Sequence, residues 1–399
     1  MIANIRDYDY YRRVFHGRQM PFAFVDLDAL DENRSQVLTR SGEKLIRTAS
    51  KSIRSIAILR RILDSDPRFQ GLLCFTAPEA LYLSEQGFTD LVVAYPTWHP
   101  QEIAAVARSV NEGKPVTLMI DSIEHLDHIE AIGREHESRI PVCLDIDMAS
   151  DFPGVHFGVW RSMVKTPAQA ERIAERIASS KHLSLDGLMG YEAQIAGLAD
   201  SNPGQRMKDA LIRFLKKRSV SEVAERRAAL VAAVKSKGLQ PRFINGGGTG
   251  SIDSTCAETD VTEVTVGSAF YAPALFDRYK EFRYAPAAGF AIEIVRRPRT
   301  DLYTCLGGGY VASGIADVSR LPLPWLPDGA ALLPAEGAGE VQTPISYKGG
   351  EKLGLGDPIF MRHSKAGELC ERFTHLFEVE AGRIVDGVTT YRGDGRCFL

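Results

Sequence analysis

The chain has 399 residues, 44% of them hydrophobic and 25% charged, with a formal net charge of −3. That length exceeds one ordinary domain, the apolar share can fill large cores, and the charge balance argues against a nucleic-acid partner. Cysteines 74, 143, 256, 305, 370 and 397 form no CxxC pair, residues 1–15 lack an apolar signal core, and no stretch approaches the length of a membrane span, so a cytoplasmic enzyme is expected.

Near the N-terminus, Phe22-Ala23-Phe24-Val25 reads as an apolar strand leading into a helix-like segment. Short continuous runs rich in Val, Leu and Ile then recur at 44–48, 72–75, 91–95, 116–120, 142–147, 185–190, 242–245 and 263–266. Such runs suit strands covered on both faces. Helical patterns separate them. Ile56, Leu59 and Leu63 fall at helical spacing, and Thr76-Ala77-Pro78-Glu79 and Thr166-Pro167-Ala168-Gln169 fit the capping box. Eight units of this kind predict an α/β fold, a (β/α)8 TIM barrel. A doubly wound open sheet is the rival, but its glycine-rich loop would follow the first strand, and here that loop comes late. Past residue 275 alternating runs at 289–295, 302–305, 358–363 and 373–379 predict a C-terminal antiparallel β domain. The proline-rich stretch 321–344 reads as a long ordered loop or lid. The expected division is a barrel over 20–275 and a β domain from 1–19 plus 276–399 that covers the barrel mouth.

Function in such barrels gathers at the C-terminal strand ends. Read in order, those ends are Lys51, Thr76, Tyr95, Asp121, Asp147, Tyr191, the loop at Gly246 and Ser268. Lys51 stands in Arg47-Thr48-Ala49-Ser50-Lys51-Ser52-Ile53-Arg54, where crowding by Arg47 and Arg54 would favour its neutral amine. A neutral amine attacks carbonyls and suits Schiff-base chemistry, although a lone lysine beside a strand end is more often a surface charge. The run Asn245-Gly246-Gly247-Gly248-Thr249-Gly250-Ser251 exposes backbone N–H groups after the seventh strand, a place where barrels often hold phosphate. The bland alternative is a tight turn that needs glycine. An amine at one strand and an anion cradle at another match the two ends of pyridoxal 5′-phosphate.

These segments resemble the fold-type III pyridoxal-phosphate enzymes of the D-threonine aldolase and D-serine dehydratase group, whose barrel is that of alanine racemase. The likeness runs through Pro21 to Asn33, through Arg47 to Arg54, and through Gly246, Gly247, Gly248 and Thr249. It implies Lys51 as the Schiff-base lysine, Arg47 and Ser268 among the cofactor-binding residues, the glycine loop as phosphate site, and Tyr191 beside the imine. It also implies a homodimer in which each β domain caps its partner's barrel; a monomer with its own tail as lid is the alternative. The chain departs from the family pattern at three places. His156 stands where the family has an arginine near the cofactor ring, with Arg161 close enough to substitute. Gln194 replaces a histidine. His363 is kept from the family's metal-binding pair, but Lys365 holds its partner's position, leaving Glu368 as the other candidate ligand or the Lys365 ammonium in the metal's place.

The resemblance implies a lyase acting on β-hydroxy-D-amino acids, with Lys51, Tyr191 and His363 catalytic and retro-aldol cleavage to glycine plus an aldehyde ahead of dehydration. A racemase stays open, because Tyr303, Tyr310 and Tyr347 lie in the β domain and one could face Lys51 from a partner. A barrel enzyme handling a phosphorylated sugar and a non-catalytic pyridoxal-phosphate carrier are the remaining alternatives.

Overall fold

In the computed structural model, which describes residues 6–399, the first strand, β1 (Phe22–Asp26), is buried along its whole length. The strands that follow are β2 (Leu45–Ala49), β3 (Phe69–Cys74), β4 (Leu91–Pro96), β5 (Val116–Ile120) and β6 (Ile140–Asp145). A short hairpin, β7 (Ser150–Phe152) with β8 (Val155–Phe157), precedes β9 (Leu183–Gly190), β10 (Phe243–Gly246) and β11 (Glu263–Val266). Eight parallel strands close into a barrel in the order β10–β11–β2–β3–β4–β5–β6–β9. Each expected apolar run falls on one of them. The expected run at 72–75 starts late because Gln70 and Gly71 interrupt the apolar pattern of β3, and the pairing of β2 with β3 shifts register there.

The helices between these strands begin as their sequences dictate. Thr166 caps helix Pro167–Ala178 in a complete capping box with Gln169. Thr76 caps helix Ala77–Glu85 by accepting from the Glu79 N–H, but the Glu79 carboxylate reaches the Phe75 N–H instead of the cap's own. The longest helix, Arg206–Ser236, lies between β9 and β10. Among the described residues no helix is long and apolar enough to cross a membrane.

The second sheet contains β1 and β12 (Ala288–Arg299), β13 (Leu302–Leu306), β14 (Leu323–Leu326), β15 (Ala331–Leu332), β16 (Gln342–Ser346), β17 (Pro358–Arg362), β18 (His375–Glu380) and β19 (Arg383–Thr389). Its pairings are antiparallel except that of β1 with β18. Strand β1, grouped with the barrel in the 20–275 division, is thus a sheet strand, flanked by β12 and β18. Its apolar run looks like a barrel strand because both kinds of central strand are covered on two faces. The stretch 321–344 contributes β14 and β15 and the start of β16, so it is built into the sheet where a loop was expected. By their contacts, the chain up to Gln36, Ser52–Ile58 and Ser268–Cys397 form one compact unit, and Val37–Lys51, Leu59–Gly267 and Phe398–Leu399 form the other.

Candidate active site

Lys51 lies two residues beyond the end of β2, in the 3-10 turn Ser50–Ser52. Its Nζ is 3.3 Å from the Tyr95 hydroxyl at the end of β4. The Arg161 guanidinium carbon sits 5.1 Å from the Tyr95 ring centre and 5.6 Å from that of Tyr191, the residue after β9. Tyr191 in turn abuts the glycine turn: a Cβ on Gly248 would fall 3.1 Å from Tyr191 Cε2 and 2.8 Å from Ala196 Cβ. Lys51, Tyr95, Arg161, Tyr191 and Gly248 therefore form one continuous chain of contacts along the C-terminal rim, where barrels of this kind place their chemistry.

Charge on this rim is set by a few groups. Arg161 Nε donates to Asp145 Oδ2 at 2.9 Å, and Arg161 Nη2 donates to the Ala94 carbonyl at 2.9 Å. Burial pushes the Tyr95 phenol up, but the Lys51 and Arg161 cations outweigh it and hold the phenol below its ordinary value. Tyr191 is pushed up to about 12, first by burial and then by Glu192, with Arg161 opposing. Asp145 is pushed up to about 6 by burial, against the pull of Arg161 and with Asp121 and Asp147 adding. The native state then binds this proton more tightly than the unfolded chain, whose aspartates titrate near 3.8. Stability contributed at this residue is present below that value and falls as pH rises to about 6. Asp145→Asn should flatten this part of the stability–pH curve, read by denaturant midpoints across the window; an unchanged slope would show that another group carries it.

The glycine turn is fixed from beneath. Gly247 adopts φ +83°, and a Cβ there would meet Val264 Cγ2 at 2.4 Å, so the position requires glycine on both counts. The Gly248 N–H donates to Ser251 Oγ at 3.1 Å, and that hydroxyl donates to Glu192 Oε1 at 2.8 Å. The other Glu192 oxygen pairs with Arg227 Nη2 at 2.8 Å, and the same nitrogen donates to the Gly190 carbonyl at 3.0 Å. Glu192 and Arg227 are both fully buried. Thr249 and Ser251 are buried as well, and Arg40 holds the Thr249 carbonyl at 3.2 Å.

Two sequence assignments fall elsewhere. Arg47 points into the barrel, away from the rim: its guanidinium pairs with Glu263 at 2.6 and 2.9 Å and with Asp90, which precedes β4 at the N-terminal end. It also stacks 4.9 Å from the Phe243 ring centre. The alternation of side chains along β2 turns Arg47 inward, and burial next to two carboxylates keeps it there. Arg54 is ion-paired with Glu371. The crowding of Lys51 by these two arginines is thus replaced by Arg161, which shares Tyr95 with it. His156 lies on β8, its Nδ1 bonded to Asp151 at 2.8 Å and its ring stacked on Trp160 at 3.8 Å, while Nε2 is buried without a hydrogen-bond partner among the described residues; Arg161, not His156, lies beside Tyr95 and Tyr191.

The remaining assigned residues lie in the other compact unit. Ser268 opens helix Ser268–Tyr271, two residues beyond β11. His363 is fully buried, its ring edge-on to Tyr271 at 6.3 Å. Lys365 Nζ donates to the Ser313 carbonyl and hydroxyl at 3.2 and 3.0 Å, and Glu368 Oε1 accepts from the Ser313 N–H at 2.8 Å. Glu368 and Lys365 therefore converge on Ser313. Among the described residues no group of three or more His, Cys, Asp or Glu side chains is arranged to hold a metal ion.

Sequence reading passed over Tyr95, Asp145, Glu192 and Arg227. Tyr95 stood in the list of strand ends and could have been found there. Arg227 could not, since one arginine inside a 31-residue helix carries no sign of a buried partner.

The model of the alanine racemase N-terminal domain matches residues 25–274. A 3-hydroxy-D-aspartate aldolase of Paracoccus denitrificans is 24% identical over 262 residues, which span 65% of this chain and 62% of that relative. The crystal structure of D-threonine aldolase from Filomicrobium marinum superposes with a TM-score of 0.75 at 18% identity, covering 94% of this chain and 95% of that one. D-threo-3-hydroxyaspartate dehydratase from Delftia sp. HT23 gives 0.74 at 17% identity, covering 94% and 98%. These structural likenesses establish the fold over nearly the whole chain. With the family model matched over more than half of its length, the protein belongs to the family that carries the alanine racemase N-terminal domain.

Proposed function

We propose that this protein is a pyridoxal-phosphate-dependent lyase that cleaves a β-hydroxy-D-amino acid between Cα and Cβ, giving glycine and an aldehyde. The observation that carries the reading is the unbroken rim from the Lys51 amine through Tyr95, Arg161 and Tyr191 to Gly248. That donor set fits the cofactor: a primary amine for its aldehyde, a permanent cation for its ring, and a turn closed to any side chain at Gly247 and Gly248 for its phosphate. The aldolase named among the relatives and the likeness to D-amino-acid lyases support the substrate class.

When bound, pyridoxal 5′-phosphate would supply an electron sink for charge left on the substrate Cα. Lys51 would supply the amine that holds it and a base at the rim. Arg161 does not give up its protons, so toward the cofactor ring it would be a hydrogen-bond donor and not a proton source. Tyr191, pushed up to about 12, stays protonated at neutral pH and acts as a donor. The buried Glu192–Arg227 pair keeps the phosphate turn in one conformation through Ser251.

Incubating the protein with D-threonine, 3-hydroxy-D-aspartate and D-serine, and with their L forms, tests this reading. Glycine plus an aldehyde from the D forms alone is the expected result. A keto acid with ammonia would assign dehydration, and an inverted enantiomer racemisation. Substrates left unchanged by protein with cofactor bound would make it a carrier and end the lyase proposal.

A further inference from the structure

Asp145 ends β6 almost completely buried, and only half of its carboxylate is used. Oδ2 takes the Arg161 Nε–H at 2.9 Å, whereas Oδ1 is buried with no hydrogen-bond partner among the described residues. A buried carboxylate oxygen left unsatisfied costs stability. Such a residue is poorly explained by packing. The carboxylate's hydrogen-bonded neighbour is Arg161, on the loop after β8; Ser162 Oγ ties that loop to the Asp145 carbonyl at 2.7 Å but leaves the guanidinium to other partners. Two contacts fix the guanidinium instead, Asp145 and the Ala94 carbonyl, and its plane comes to lie near the rings of both Tyr95 and Tyr191.

We infer that Asp145 is a positioning residue: its carboxylate holds the Arg161 guanidinium between Tyr95 and Tyr191, and through Tyr95 sets the cation that Lys51 shares. The role toward the cofactor rests on the reading above; the geometry within the protein does not. Position and charge make opposite predictions. Tyr95 is influenced by Lys51, Arg161 and Asp145, the two cations lowering its phenol and Asp145 raising it. If Asp145 acted by its charge alone, neutralising it would move the phenol down. If it holds Arg161 in place, neutralising it lets the guanidinium leave, and the phenol moves up.

The experiment follows phenolate absorbance from neutral to alkaline pH on the full-length protein freed of bound cofactor, with the difference from Tyr95→Phe isolating this one tyrosine. The expected result is an upward shift of about one pH unit in Asp145→Asn and in Arg161→Met alike, no further shift in the double variant, and recovery toward wild type in Asp145→Glu. A downward shift or none in Asp145→Asn, with the circular dichroism of the wild type retained, overturns the proposal; so does an additive shift in the double variant. Should Asp145→Asn fail to fold, Arg161→Met and Asp145→Glu still decide it: the first must raise the phenol and the second must leave it near its wild-type value. In loaded protein, Asp145→Asn and Arg161→Met should alter the visible band of the cofactor in the same direction. Absence of any borohydride-reducible chromophore on wild-type Lys51 would sink the cofactor reading but leave the phenol titration standing.

Discussion

Replacing Lys51 with alanine is expected to leave a folded protein that no longer retains pyridoxal phosphate through borohydride treatment and whose turnover falls by about 10³-fold or more. Lys51 is exposed and outside regular strand or long helix, so its loss removes no core contact and opens no cavity. Its amine is the group of this rim that can form and release a carbonyl adduct; Arg161 cannot, because the guanidinium stays protonated. Mass analysis of the wild type after borohydride should place one adduct on the peptide carrying Lys51. Lys51→Arg should fail as completely as alanine, although it keeps the charge beside Tyr95, which separates covalent chemistry from electrostatics. An alanine variant that still formed the reducible adduct at wild-type strength would refute the assignment.

Arg47→Met is expected to act in the opposite way, costing about 3–5 kcal/mol of stability while the rim keeps its chemistry. Removing the guanidinium strands the fully buried Glu263 carboxylate and weakens the hold on Asp90. Arg242 still pairs with Asp90 at 2.8 Å, and Asn245 still donates to Glu263 at 2.8 Å, but neither replaces a cation between the two. Arg47→Met combined with Glu263→Leu should recover much of the loss, since an apolar pair of similar volume pays no desolvation. Chemical denaturation reads the stability, and cofactor titration at low temperature reads the rim. Loss of cofactor binding at unchanged stability would return Arg47 to the role that resemblance assigned to it.

These two residues show how far the chain can be read without coordinates. They are four positions apart in one motif, and the resemblance placed both at the cofactor. Lys51 follows the strand end and reaches the rim. Arg47 lies within β2, and its side chain is sent inward by the pleat to Glu263, Asp90 and Phe243. A linear motif records adjacency along the chain, whereas the direction of each side chain depends on the register of the strand and on what closes around it. His156 and Arg161 make the same point. The family pattern puts His156 at that place, but its ring is bonded to Asp151 and stacked on Trp160, and the later arginine arrives beside Tyr95 and Tyr191.

By itself the amino-acid order determined the eight-fold alternation of buried strands and capped helices, the late glycine turn, the candidate amine and the β-rich tail. Each of these is a local property, written in periodicity, capping residues and conformational freedom within a few positions. Only the tertiary structure decided that β1 joins the antiparallel sheet, that 321–344 is woven into it, and that Asp145, Arg161, Tyr95 and Lys51 meet. The reason is that hydrogen bonds between strands and charges buried against one another are formed by segments far apart in sequence. Their partners are chosen by closure of the barrel and the sheet, and a stretch of residues carries no record of what will be across from it.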